Sequence, residues 1–111
     1  MRRGDLVTIA ISGDYGKPRP AVVIQSDTFA KSDSVLVCQL TTNILEADMR
    51  LPIEPDPSNG LRARSQIMVE KIFAVRRERC GPAIGRLDSP TLARLDEILA
   101  LVIGLADSER S

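Results

Sequence analysis

From Leu6 to Gly85 the apolar residues come only in short runs, each closed by glycine, proline or a cluster of polar turn formers. A chain so divided has no room for a long helix in that stretch. It reads instead as several short strands with turns at close spacing, the pattern of a small β-barrel. Leu6 to Ile11 is the first strand, and Ser12 to Pro18 is a Gly/Pro/Asp loop. Pro20 to Gln25 is the second strand, with proline at its first position, where a missing N–H is tolerated. Ser26 to Asp33 has room for one helical turn. Val35 to Leu40 is nearly all apolar and is expected to be buried on both faces. Thr41 to Asp48 is a polar loop, and Met49 to Ile53 is a strand that stops before Pro55-Asp56-Pro57. Ser58-Asn59-Gly60 is a turn. Ser65 to Val69, Phe73 to Val75 and Pro82 to Gly85 complete the strands.

The last segment has a different period. Ser89 is expected to cap a helix, Pro90 suits its first position, and Thr91 to Ala106 meets no breaker before Gly104. Leu92, Leu95, Leu99, Val102 and Ala106 form one stripe, and Ile98, Leu101 and Leu105 a second apolar side. A helix apolar on two sides needs two partners. One is the barrel, and a second subunit or a binding partner is the other. The 111 residues are expected to form a single domain, mainly β with a C-terminal helix.

Composition narrows the function. Lysine plus arginine equals aspartate plus glutamate, so the formal net charge is zero and there is no general basic coat for duplex nucleic acid. A local cluster is still available, since Arg62, Arg64, Arg76, Arg77, Arg79 and Arg86 all lie in the second half. There is no histidine, and Cys38 and Cys80 do not have metal-ligand spacing, so no zinc site is expected. Cys38 reads as a buried thiol. Arg2 and Arg3 run directly into Gly4-Asp5 rather than an apolar leader, and no segment approaches the ~20 apolar residues of a membrane span. A cytoplasmic location is therefore expected.

Four segments occur in a distinctive order: Arg3-Gly4-Asp5, then Lys17-Pro18-Arg19-Pro20-Ala21-Val22-Val23-Ile24-Gln25, then Val37-Cys38-Gln39-Leu40-Thr41, then Ile67-Met68-Val69-Glu70-Lys71-Ile72. Gly85-Arg86-Leu87-Asp88 leads into the helix. From nearly end to end this layout resembles the MazF/PemK/Kid toxins of toxin–antitoxin systems. The resemblance implies an SH3-like or CcdB-like barrel, a homodimer, and a cognate antitoxin that blocks the RNA groove. It also implies a cofactor-free, metal-independent endoribonuclease acting on single-stranded RNA. In that chemistry the ribose 2′-hydroxyl attacks the neighbouring phosphate, leaving a 2′,3′-cyclic phosphate and a 5′-hydroxyl.

Such a reaction needs a base, a donor to the leaving oxygen and positive charge at the phosphorane. Arg19 stands between Pro18 and Pro20 at a loop-to-strand junction, where its guanidinium can grip two phosphate oxygens. It matches the family's catalytic arginine. Thr41 matches the family's catalytic hydroxyl, and Thr42, one residue on, would take that role if the strand slipped by one. Glu70 matches an acidic position that is the base in one branch of the family. That branch has an arginine where this chain has Met68, and a histidine that this chain lacks. Glu70 is therefore either the base or a group that orients Arg19 or another arginine. Ser65 either contacts RNA or makes a local strand-edge bond. Arg62 and Arg64 either lie on the groove rim as phosphate contacts or are simply solvated. In the loop Gly13-Asp14-Tyr15-Gly16-Lys17, Lys17 can reach RNA and Tyr15 can stack on an unpaired base.

Two other classes share a barrel of this size. A gyrase poison of the CcdB type carries a C-terminal Trp-Gly-Ile tail, and this chain has no tryptophan. A non-catalytic SH3-like module needs an aromatic groove, and Tyr15, Phe29 and Phe73 are too few to line one.

Overall fold

The computed structural model describes residues 1–10 and 17–107. Six strands and one helix make up the framework: β1 (Asp5–Ile9), β2 (Arg19–Val23), β3 (Ser34–Thr41), β4 (Arg50–Ile53), β5 (Ser65–Arg76), β6 (Cys80–Arg86) and α1 (Ser89–Val102). Single 3-10 turns at Asp27–Phe29 and Arg77–Arg79 serve as corners. The strands form one sheet in the order β4-β5-β3-β2-β1-β6, and every neighbouring pair is antiparallel.

Alternation along the strands creates two cores. Leu6, Val22, Cys38, Leu40, Leu51, Ile53, Ile67 and Val69 face α1 and pack on its Leu95, Ile98 and Leu99. Val7, Ile9, Ala21, Val23, Val35, Val37 and Val75 form a smaller cluster from the opposite face. In β3 the expected double burial holds for Val35, Val37, Cys38 and Leu40, but Leu36 is 42% exposed, in an open hollow that it lines with Ala100 and Ile103.

The sequence suggested two strands in the stretch that forms β5. The structure has one strand of 12 residues, irregular where β3 advances from Cys38 to Leu40 while β5 goes from Ile72 to Ile67. Met68 to Lys71 stand opposite the single residue Gln39, three more than a regular ladder holds, so polar Glu70 and Lys71 mark a bulge and not a break. The shift also exchanges faces. Ile67 and Val69 point to the α1 core, and Phe73 and Val75 to the smaller one.

The sheet is not closed into a full barrel, since β4 and β6 remain its unpaired edges. The turn after β4 bridges the edge strands, since Arg86 N–H donates to the Ser58 carbonyl at 2.9 Å. Asp56 braces that turn by accepting from the Ser58 hydroxyl and from the N–H groups of Ser58 and Asn59, at 2.7, 2.8 and 2.9 Å. The Ser58 hydroxyl first, and then the backbone donors, hold the Asp56 carboxyl below its ordinary range.

The cap of α1 is Asp88, one residue before the expected Ser89, and its carboxylate accepts from Thr91 N–H at 2.8 Å. The helix also ends earlier than Ala106. Gly104 takes φ +81°, which lets Leu105 N–H reach back to the Ala100 carbonyl at 2.8 Å. Ile98, expected on the second apolar side, is buried in the core, whereas Leu101, Ile103 and Leu105 stay 60%, 55% and 76% exposed. No helix among the described residues is long and apolar enough to cross a membrane.

Close approach of the bridging turn to β6 supplies a test. A Cβ on Gly85 would lie 2.2 Å from the Asn59 carbonyl carbon, which is backbone and has no rotamer to give. Gly85→Ala is expected to lower unfolding stability by about 1–3 kcal/mol, read by urea denaturation. A variant as stable as the parent would show that the turn is not seated on β6.

Candidate functional site

Arg19 opens β2 directly after Pro18 and is exposed. Its strand neighbour in β1 is Ile9. On the other side, β2 pairs with β3 through Val23↔Val37, Val22↔Cys38 and Ala21↔Gln39. The same register carried two residues further sets Arg19 opposite Thr41. Thr41 in turn pairs with Gln66 of β5, and Gln66 with Pro52 of β4. Partners opposite one another in a ladder share a face. Thr41 and Gln66 thus share a face in one cross-strand row, and the β2–β3 ladder, which ends at Ala21↔Gln39, would bring Arg19 to the same face if extended to the strand ends.

Local bonds fix the middle of this row. Thr41 is half-buried, and its Oγ1 accepts from Asn43 N–H at 3.1 Å. A hydroxyl has one proton to give, so the bond from Asn43 occupies an acceptor site and leaves the proton for a further oxygen. Thr42 lies beyond the strand end and is exposed. Gln66, only 4% exposed, donates to the Leu45 carbonyl at 2.6 Å and accepts from Leu45 N–H at 3.0 Å. Its amide thus pins the segment after Thr41 to β5. The sequence reasoning missed Gln66, because its partner is a backbone 21 residues away.

Glu70 stands at the bulge of β5 and meets an arginine that sequence reasoning also missed. Arg50 of β4 sends Nε to both carboxylate oxygens, at 3.1 and 2.9 Å, and a terminal nitrogen to Oε2 at 2.8 Å. Arg50 pairs with Met68, one pleat along from the Gln66 row. The ion pair with Arg50 is compatible with both roles left open for Glu70, the base and the orienting group. The only available signal was an arginine between apolar Met49 and Leu51, which says that a charge sits in a strand but not what it meets.

The remaining candidates divide. Ser65 is 3% exposed, and its hydroxyl donates to the Ala63 carbonyl at 3.0 Å, the local bond of its two alternatives. Arg64 is exposed and ion-paired with Glu54 at 2.9 Å. With Arg50, Gln66 and Leu45 it lines an open hollow of about 440 Å³ beside the row. Arg62 and Lys17 are exposed. Tyr15 lies outside the described residues. Below the sheet, on the α1 side, the Cys38 thiol is pushed up to about 12, chiefly by burial and then by the negative charge of Glu70.

Taken together, the face offers a guanidinium, a hydroxyl with a proton to donate, and a carboxylate held in place, which is the set that a phosphodiester requires. Comparison with known proteins identifies the family. Residues 2–103 match the model of the PemK-like, MazF-like toxins of type II toxin–antitoxin systems. The chain is 41% identical over 108 residues to the probable endoribonuclease MazF of Mycolicibacterium smegmatis, covering 96% of this chain and 99% of that relative. An endoribonuclease in complex with its cognate antitoxin, from a mycobacterial species, superposes with a TM-score of 0.82 at 16% identity, over 97% of this chain and 99% of that one. A MazE–MazF structure from Deinococcus radiodurans gives 0.76 at 17% identity, over 94% and 95%. At such identities the two structures speak for a shared fold.

The two thiols distinguish the faces experimentally. Cys38 is fully buried and Cys80 only partly so. At pH ~8, where ordinary thiols react, iodoacetamide is expected to label Cys80 in the native protein and to spare Cys38. Prompt labelling of Cys38 without unfolding would contradict its placement beneath the sheet.

Proposed function

The chain belongs to the PemK-like, MazF-like toxins of type II toxin–antitoxin systems, and on that premise we propose that it cuts single-stranded RNA by internal attack of a ribose 2′-hydroxyl. It is an endoribonuclease of the MazF type. The observation that supports the finer reading is the β2–β3 register, which ends at Ala21↔Gln39 and, carried on by two residues, would set Arg19 opposite Thr41.

In this mechanism the nucleophile belongs to the substrate, so neither a metal nor an enzyme nucleophile takes part. The 2′-oxygen bonds to phosphorus, and its proton passes to the Glu70 carboxylate. The bond from phosphorus to the 5′-oxygen breaks, that oxygen takes a proton from water, and the hydroxide left behind takes the proton from Glu70. Arg19 holds the non-bridging oxygens and stabilises the added charge of the phosphorane, as a guanidinium fork does well. The Thr41 hydroxyl donates to one of the same oxygens. The products are a 2′,3′-cyclic phosphate and a 5′-hydroxyl end. Lys17, Arg62 and Arg64 act on flanking phosphates, so affinity falls as salt rises. Tyr15 stacks on a base, and Thr42 lies beside the scissile group.

Two protein partners complete the proposal. Leu101, Ile103 and Leu105 on the end of α1, with Leu36 beside them, leave an apolar surface that supports a homodimer. The relative that was solved with its cognate antitoxin supports an antitoxin that covers the RNA groove. The cytoplasm is the proposed site of action, because that is where the RNA substrate is found.

Primer extension on a mixed RNA pool, with chelator present, tests the activity. Discrete cuts at a short motif are expected. Arg19→Ala should lower cleavage by ~10²–10³ while the dimer stays folded, and Thr41→Val should cost far more than Thr42→Val. Glu70→Gln should slow turnover by ~10² or more. Near-parental cleavage by Arg19→Ala would remove that residue from the mechanism, and a larger loss in Thr42→Val would exchange the two threonines.

A further inference from the structure

The pair of Arg50 and Glu70 is deeper than an exposed ion pair, with 8% of one side chain and 22% of the other accessible. Replacing such a pair by apolar residues commonly costs nothing or even stabilises, because two charges must be stripped of water to form it. Stability alone therefore does not explain why β4, whose Leu51 and Ile53 lie in the core, carries an arginine between Met49 and Leu51. Its location is more informative. Arg50 pairs with Met68, two residues along from the Gln66 position that faces Thr41, and it lines the same hollow as Gln66 and Leu45.

From this arrangement we infer that Arg50 is a positioning residue, which grips one edge of the Glu70 carboxylate and so aims its other edge at the phosphodiester held by Arg19 and Thr41. A carboxylate has about four lone-pair directions. The three contacts from Arg50 take up part of that capacity, and 22% of the Glu70 side chain stays accessible. Glu70 needs this help because it stands on a bulge, where the sheet ladder does not define its direction. Arg50 from β4 is bonded to Glu70, and the Cys38 thiol, buried in the α1-side core, is close enough to feel its charge. The thiol is neutral, so Arg50 supplies the compensating charge. The inference rests on the reading above, in which Glu70 accepts the 2′-hydroxyl proton.

Three variants of the full chain test it: Arg50→Met, Arg50→Lys, and the charge swap Arg50→Glu with Glu70→Arg. Each is measured for kcat and KM on a fluorogenic single-stranded RNA, for binding of the uncleavable 2′-deoxy version of that RNA, and for Tm. Arg50→Met is expected to lose kcat by ~tenfold or more, with KM and 2′-deoxy binding changed by no more than ~twofold. Arg50→Lys, which keeps the charge but not the fork, should recover part of kcat. The swap should recover Tm without recovering kcat. Should Arg50→Met fail to fold, the lysine variant and the swap decide.

Parental kcat in a folded Arg50→Met protein would overturn the inference. So would a swap that restores kcat along with Tm, since the pair would then be structural only. Binding of the 2′-deoxy RNA weakened ~tenfold would place Arg50 on the substrate and overturn it as well. A parent protein that cuts no RNA would instead defeat the ribonuclease mechanism itself, before any variant is compared.

Discussion

The register between β2 and β3 is the constraint on which the site depends. In a ladder with a side-chain period of two, a slip of one residue would turn Arg19 toward the opposite face from Thr41. It would also move Ala21 and Val23 out of one core and Val22 out of the other, and all three are buried. Apolar packing on both faces therefore enforces the alignment of two polar side chains at the strand ends. Neither residue has to stabilise the fold for the pair to be held in line.

The rest of the face is built outward from this alignment. Gln66 ties the segment after Thr41 to β5 through both atoms of its amide, and no buried side-chain nitrogen or oxygen among the described residues is left without a partner. The bulge in β5 presents Glu70 to Arg50 and shifts Phe73 and Val75 into the smaller core. With zero net charge on the chain, affinity for RNA has to come from such local placement and not from a basic coat.

Much of this was legible in the sequence, and the exceptions have physical causes. Strand positions followed from β-branched runs between turn formers, and the family followed from segments that stay local in the chain. The continuity of β5 did not, because Glu70 and Lys71 look like a break when a bulge is not considered. The end of α1 was hidden because apolar residues continue past Val102, while the left-handed Gly104 turns the backbone. Asp88 and Ser89 are both good caps, and only the bond to Thr91 distinguishes them. Arg50 and Glu70 are 20 residues apart on different strands, so no local pattern announces their contact. The bond that Ser65 makes to Ala63 is equally invisible without coordinates.

The most direct measurement is a crystal structure of the protein with an RNA that carries a 2′-deoxy sugar at the cut. One phosphate is expected to lie between β2 and β3, with the Arg19 guanidinium and Thr41 Oγ1 on its non-bridging oxygens and Glu70 facing the 2′ position. An RNA seated elsewhere, for instance along the Arg76–Arg79 corner with that row of side chains facing only water, would contradict the account.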